Sequence, residues 1–463
     1  MTPESVSPSN VVDERLAQYP LLEALLHRRS RRFAKGMHLN GGPLAYQSAH
    51  APQPLSLAEE AALAFAACGV TGSALGELPY ESGDVPEAGG GNIMVRFLGR
   101  TVASPDGLQT VTMCVINDDG AWLLKRPQDY TPAEIGEIVA AAREGRLVDV
   151  YEKARVRLTD HRVDVPRHLP FVPPFNKWSA NVPGATYFVP VNEVTELFIN
   201  ILLSVFTEEF GYFIVDERNH LQPAGIAKFA RSKGGHLDDD PAEGRFATIE
   251  FFESYVHELT GLEQGMMVQN LGLMAQALGL GGFPHFGAHP TGWFEALGFR
   301  MEELPVSRTI HAGVVMKGLL KALHEDIPVP AVVGLERDGK VLLKPYCPPY
   351  YPTMRDAVLA LVEAKYAAGT GAFRDGGAVT GWRDGAAVQA GIPEYPDYAI
   401  EATIACCEYI YDRYGRFPPY EGPFRTLLGY QAHHVDTDFY DRFYKPDVLT
   451  ETQREHDARY HAK

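Results

Sequence analysis

Residues 269–287, QNLGLMAQALGLGGFPHFG, run helix periodicity, a helix stop and a glycine-rich continuation together without a break. Met266, Met267, Leu271, Met274, Ala277 and Leu278 recur at three- and four-residue steps, which sets one stripe of a helix into a core. Gly279, Gly281 and Gly282 end that helix, because glycine adopts the left-handed turn past a helix C-terminus without steric cost, and Pro284 blocks a restart. The chain is expected to leave a buried helix as a loop of nearly bare backbone.

Outward from this stretch, the chain has 463 residues, long for one core, and 45% of them are hydrophobic, enough to bury two or three modules. A net charge of -17 and a pI near 5.4 speak against a nucleic-acid or anionic-membrane partner, since either needs a basic face. The five cysteines (Cys68, Cys114, Cys347, Cys406 and Cys407) form no CxxC and cannot all pair, so reduced thiols and a cytoplasmic location are expected. No basic-then-apolar leader follows Met1. The longest apolar run, residues 197–206, is flanked by Glu196 and Glu208 and contains Asn200, far short of the roughly 20 residues a membrane helix needs.

Residues 1–20 read as a mobile Ser/Pro/Glu-rich tail, followed by an amphipathic helix, LLEALLH, that runs into RRSRRF. Arg28, Arg29, Arg31 and Arg32 around Ser30 repel one another and so suggest a bound anion, or else a solvated face paired with carboxylates. A capped helix is expected over residues 55–68, then strands in IMVRFLG and QTVTMCVI, with WLLKR returning after the Asn-Asp-Asp-Gly turn. The intervening RTVASPDGL would let backbone approach a flat ligand, or is an ordinary loop. An insertion at about 131–185 combines a short helix with HLPFVPPFNKW, which reads as an aromatic cover. A hairpin turns at Asp338-Gly339, and from about residue 346 helices alternate with Gly/Pro-rich loops.

RRSRRF, ASPDGLQ and residues 269–281, taken together, resemble the nitroreductase-like flavoprotein family, across roughly residues 21–345. The resemblance implies an α+β fold, a mixed and mainly antiparallel sheet surrounded by helices, with insertions and a C-terminal helical extension at 346–463. It also implies a homodimer with FMN at the subunit interface. Arg28, Arg29, Ser30 and Arg32 would bind the FMN phosphate, with the choice between Arg31 and Arg32 open because the Phe comes one residue early. Ser104, Gly107 and Gln109 would contact the ribityl chain or ring edge, and Pro284, His285, Phe286 and Gly287 the isoalloxazine face and its N5/O4 edge. The family's Pro and Asn of the second motif are Ala103 and Gly107 here.

The function expected is hydride transfer through FMN, with NAD(P)H as a reductant, to or from a conjugated small organic molecule. No catalytic residue is assigned. The alternatives are a flavin-binding or flavin-sequestering protein without turnover, and a flavin-consuming or metal-dependent enzyme on the same fold. Three polar clusters bear on a metal. Asp238, Asp239 and Asp240 lack calcium-loop spacing, and His285 with His289 sits outside any helix. In QAHHVDTDFYD, His433, His434, Asp436 and Asp438 could bind a metal, with alternation sending His434, Asp436 and Asp438 to one side. The plainer reading is a polar arm docked by Tyr430, Phe439, Tyr440, Phe443 and Tyr444, and no metal site is expected.

Overall fold

The computed structural model describes residues 12, 14–77, 93–285, 289–310, 312–426 and 428–461. Of the expected N-terminal tail, residues 1–11 and 13 lie outside these, as do the loop at 81–92 and the predicted site residues Phe286 and Gly287. The fold is α+β.

A short helix, Glu14–Ala17, already forms inside the stretch expected as a tail; α1 (Leu21–His27) then carries RRSRRF at its end, and α2 (Leu57–Cys68) starts at a capping box in which Ser56 and Glu59 bond each other's backbone N–H. Then β1 (Val111–Asn117) and β2 (Gly120–Leu124) form the hairpin expected from the Asn-Asp-Asp-Gly turn. The insertion supplies α3 (Pro132–Arg143), α4 (Leu147–Ala154) and an edge strand, β3 (Arg155–Thr159). Helix and strand thus fill its first half, and residues 160–185 follow as loop with one short helical turn at Pro174–Asn176. Next come β4 (Thr186–Glu193), α5 (Thr195–Val205), whose every residue is buried, and the 30-residue α6 (Ile249–Leu278). After α6 the chain forms β5 (Gly281–His285), α7 (Val314–Ala322), α8 (Met354–Tyr366) and α9 (Asp397–Tyr414). It ends with β6 (Phe424–Arg425), β7 (Gly429–His433) and α10 (Glu451–His461).

The central sheet runs β5-β7-β4-β1-β2-β3, with β6 also beside β4, and every pairing in it is antiparallel. The mixed character expected is found outside the central sheet: among the described residues, in a small sheet, Phe246–Thr248 lies parallel to Phe213–Asp216. Of IMVRFLG, expected as a full strand, only the last two residues are strand, within Leu98–Arg100. Alternation along β1 divides the core: Val111, Met113 and Val115 pack with α2 and α6, whereas Cys114 and Ile116 pack with Trp293, Phe294 and Val172 on the other face. Because β7 comes from the segment expected to be a helical extension yet lies between β5 and β4, residue 345 does not divide two cores.

The opening stretch is helical as read, with Gly279 left-handed at φ 81° as its C-cap. Its buried stripe, however, starts at Ile249 and passes through Met267 and Leu271, while Met266 faces outward. The continuation is a strand rather than a loop. Gly282 is there for close approach, since a Cβ would lie 2.5 Å from the Tyr430 hydroxyl and 2.6 Å from the Gln431 carbonyl oxygen.

Candidate functional site

On β5, β7 and β4 the side chains that face away from α6 form one polar-aromatic layer. Phe283 sits opposite Gln431, Gly281 opposite His433 and Gln431 opposite Tyr187. The His285 ring stacks on Tyr187 at 5.1 Å and on Phe283 at 5.0 Å, and Trp293 closes on Tyr187 at 5.2 Å. The Arg32 guanidinium lies between the rings of Phe283 (4.7 Å) and Trp178 (4.8 Å). Its Nη2 donates to Asn176 Oδ1 at 3.0 Å and to Ser179 Oγ at 2.6 Å. Asn176 and Trp178 belong to the aromatic segment read as a cover, with Ser179 directly after it, and this segment lies over the layer.

The layer is short of hydrogen-bond partners. His285 is 7% exposed, and among the described residues neither of its ring nitrogens has a partner, nor has the Tyr187 hydroxyl or Arg32 Nε. Each such buried group costs about 1–3 kcal/mol, and native structures leave few of them unsatisfied. Several on one surface make this layer the candidate site. Burial, and after it the Arg32 charge, push the His285 pKa down to about 4. At neutral pH the ring is uncharged and offers one donor and one acceptor. Burial likewise keeps the Tyr187 phenol protonated.

The first and third motifs meet, though some 250 residues separate them in sequence. Arg31 pairs with Gly282 in a β-bridge, with Gly282 N–H donating to the Arg31 carbonyl at 3.1 Å. Extended backbone sends neighbours to opposite faces, which resolves the two arginines. Arg31 turns toward α6 and donates to Gln276 Oε1 (2.9 Å) and to the Val448 carbonyl (3.0 Å), while Arg32 turns into the aromatic layer. Arg28 lies beside Gly272 on α6, half-buried, and Arg29 and Ser30 are exposed. Among the described residues Arg29 donates to the Leu26 and Arg28 carbonyls, and no carboxylate there pairs with Arg28 or Arg29. Pro284 is exposed on the other side of β5 from His285.

The second motif lies elsewhere. Ser104 donates to Glu263 Oε2 at 2.7 Å and accepts the Gln109 N–H, and the Gln109 side chain donates to the Leu98 carbonyl. A Cβ on Gly107 would lie 2.5 Å from the Arg96 carbonyl oxygen, so backbone packing alone requires that glycine. Glu263 also accepts from Arg100 (3.3 Å), Thr110 (2.8 Å) and the Val111 N–H (3.2 Å). Glu263 and Gln276, the anchors of the second and first motifs, are thirteen residues apart on α6, about 20 Å of rise. Within one chain Ser104, Gly107 and Gln109 therefore do not join Arg32 and His285.

The residues present fit a flavin at two of the three motifs. The unpaired polar atoms of His285, Tyr187 and Arg32 suit the polar edge of a flat conjugated ring, and Arg28, Arg29 and Ser30 suit an anion. Sequence reasoning missed Tyr187, Gln431 and Glu263. The first two carry no local signal, and Glu263 reads as an ordinary helical acid until its side is known.

No family model matches the chain, and no curated protein matches it. Among solved structures it is similar to a Ralstonia eutropha JMP134 protein provisionally described as a nitroreductase, with 13% identity over 64% of this chain and 80% of that one and a TM-score of 0.28. At that score the likeness carries nothing about chemistry. Among the described residues no helix is long and apolar enough to cross a membrane.

Proposed function

We propose that the chain is an FMN-dependent oxidoreductase of nitroreductase-like fold that moves hydride to or from a conjugated small organic molecule. The observation that carries this reading is the pairing of Arg31 with Gly282, which sets the arginine cluster beside an aromatic layer with unsatisfied polar atoms. FMN, when bound, supplies the hydride-accepting ring, and NAD(P)H is the proposed reductant. Arg28, Arg29 and Ser30 hold the phosphate. Neutral His285 and Tyr187 offer hydrogen bonds to a flat ligand's polar edge, Phe283 and Trp293 keep water out, and Arg32 adds a fixed positive charge that favours negative charge developing nearby.

Incubation with FMN is expected to give one bound flavin per chain with its visible absorption bands. Replacing Arg28 and Arg29 together by alanine weakens that binding about tenfold or more, about 1.4 kcal/mol. A colourless protein that takes up no FMN at micromolar concentration overturns the proposal. The engagement of Ser104 with Glu263 favours a second reading, a flavin-binding protein without turnover. That reading requires bound FMN with no NAD(P)H-dependent reduction of a quinone or nitroaromatic acceptor.

The homodimer belongs to the same proposal. The outward side of α6 carries Phe251, Tyr255, Leu262 and Met266, with Leu262 64% exposed, and α1 beside it exposes Leu21, Leu22, Leu25 and Leu26. Gly265 opens the middle of that side for close helix approach. An apolar stripe of this length suits an isologous contact. Leu262→Glu with Met266→Glu places like charges across the two-fold axis and is expected to convert a dimer to monomers in sedimentation. A wild-type protein that sediments as a monomer removes the dimer. The five buried, unpaired cysteines suit the proposed reducing, cytoplasmic setting.

A further inference from the structure

The polar tail does not behave as its alternation suggested. Asp436 turns to accept from Ser48 and the Phe439 N–H, and Asp438 meets His50. His434 instead enters a separate, buried cluster with two residues far from it in sequence. Glu59 comes from the first turn of α2, His434 follows β7, and His456 lies on α10, and these are 5%, 3% and 8% exposed. His456 Nε2 is 2.8 Å from Glu59 Oε1, and His434 Nε2 is 3.8 Å from Glu59 Oε2. One ligand atom from each residue can be chosen so that all lie within 4.8 Å of one another.

We propose that Glu59, His434 and His456 bind a divalent ion of the zinc, cobalt or nickel type, a site independent of the flavin reading. Two imidazoles and one carboxylate are the donor set these ions take, whereas calcium and magnesium prefer shells of oxygen. Glu59 is already oriented. Its Oε2 accepts the Ser56 N–H (2.7 Å) and hydroxyl (2.8 Å), which leaves Oε1 aimed at His456 and supplies the outer hydrogen bonds that metal ligands have. The main chain of His434 is fixed too, its carbonyl accepting the Lys35 N–H at 3.1 Å. His456 is pressed on the C-cap of α6, where a Cβ on Gly279 would lie 2.6 Å from His456 Cβ.

In the metal-free arrangement a proton lies between His456 and Glu59, and the Pro54 carbonyl is 3.1 Å from His434 Nε2. Metal binding removes the His456 Nε2 proton's role in that contact by moving it to Nδ1 or to solvent. His434 likewise presents Nε2 as a lone pair, with its proton on Nδ1, and gives up the Pro54 carbonyl. A water or that carbonyl completes four-coordination. Zinc–nitrogen and zinc–oxygen bonds of about 2.0–2.2 Å set tetrahedral ligand atoms about 3.3 Å apart, so Glu59 and His456 must open from 2.8 Å while Glu59 and His434 close from 3.8 Å.

Such an ion would tie α10 to α2 and β7. The segment just before α10 also supplies the Val448 carbonyl that holds Arg31, so the metal would brace the wall behind the arginine cluster.

The test uses the full chain after chelator treatment, titrated with Co2+ and then Zn2+. One Co2+ per chain is expected, with the intense ligand-field absorption of a four- or five-coordinate site, displaced by Zn2+. His456→Gln, a near-isosteric change on α10, weakens binding at least tenfold, as does Glu59→Gln. His50→Gln, at the exposed His50–Asp438 pair, leaves it unchanged. If chelated wild-type protein shows no saturable Co2+ or Zn2+ binding, or if folded His456→Gln binds as tightly as wild type, the cluster is a hydrogen-bonded latch only and the proposal is overturned.

Discussion

Replacing Glu263 by leucine is expected to lower the unfolding free energy by about 3–5 kcal/mol, the penalty for stranding the partner of a buried ion pair. The two side chains concerned are sealed from water, Arg100 at 1% and Glu263 at 0% exposure, and they lie 3.3 Å apart. Removing the carboxylate also leaves the Ser104 and Thr110 hydroxyls and the Val111 N–H without their acceptor. Leucine fills much of the volume, so the loss reflects unpaired polar groups rather than a hole. Ser104→Ala removes one donor of the four and should lose only about 1 kcal/mol. Urea unfolding of both variants beside wild type measures the contrast. A loss below 1 kcal/mol for Glu263→Leu would mean that solvent or another side chain satisfies Arg100, and that Glu263 is no hub.

The second large effect is on acid stability. Burial and Arg32 lower the His285 pKa from 6.5 to about 4, so between those values the unfolded chain binds a proton that the folded chain refuses. The sign follows from linkage: the stability contributed by this group is complete above pH 6.5 and is lost as pH falls through about 4. Its slope approaches about 1.4 kcal/mol per pH unit, about 3 kcal/mol over the window. His285→Phe keeps a ring between Tyr187 and Phe283 while removing the titration and both unpaired nitrogens. Its urea midpoint should fall less steeply than wild type between pH 6.5 and 4, and stand above it at pH 5. Parallel curves for the two proteins would show that His285 meets a proton as easily folded as unfolded.

What the sequence disclosed was local chemistry. The α6 stop at Gly279, the Ser56–Glu59 start of α2 and the β1–β2 turn each follow from a few adjacent residues whose backbone preferences agree. The cover over Arg32 was legible because Pro and aromatic residues crowd HLPFVPPFNKW. Position across the sheet was not legible. GYQAH, which becomes β7, lacks a β-branched residue and is a strand because β5 and β4 grip it from both sides. Which of Arg31 and Arg32 meets the aromatic layer depends on a bridge to Gly282, and no spacing within RRSRRF encodes that. The separation of Ser104 from the arginines likewise arises from the length of α6, which motif matching does not measure.

The place of β7 between β5 and β4 also sets an order for folding. A ribosome releases β4 and β5 long before residues 429–433, and until then each has an unpaired edge where β7 will lie. Those contacts span large loops, so the central sheet closes late and slowly, and nascent chains expose strand edges in the meantime. Shortening the chain from its C-terminus past His433 would therefore cut β5 away from the rest of the sheet rather than trim its rim.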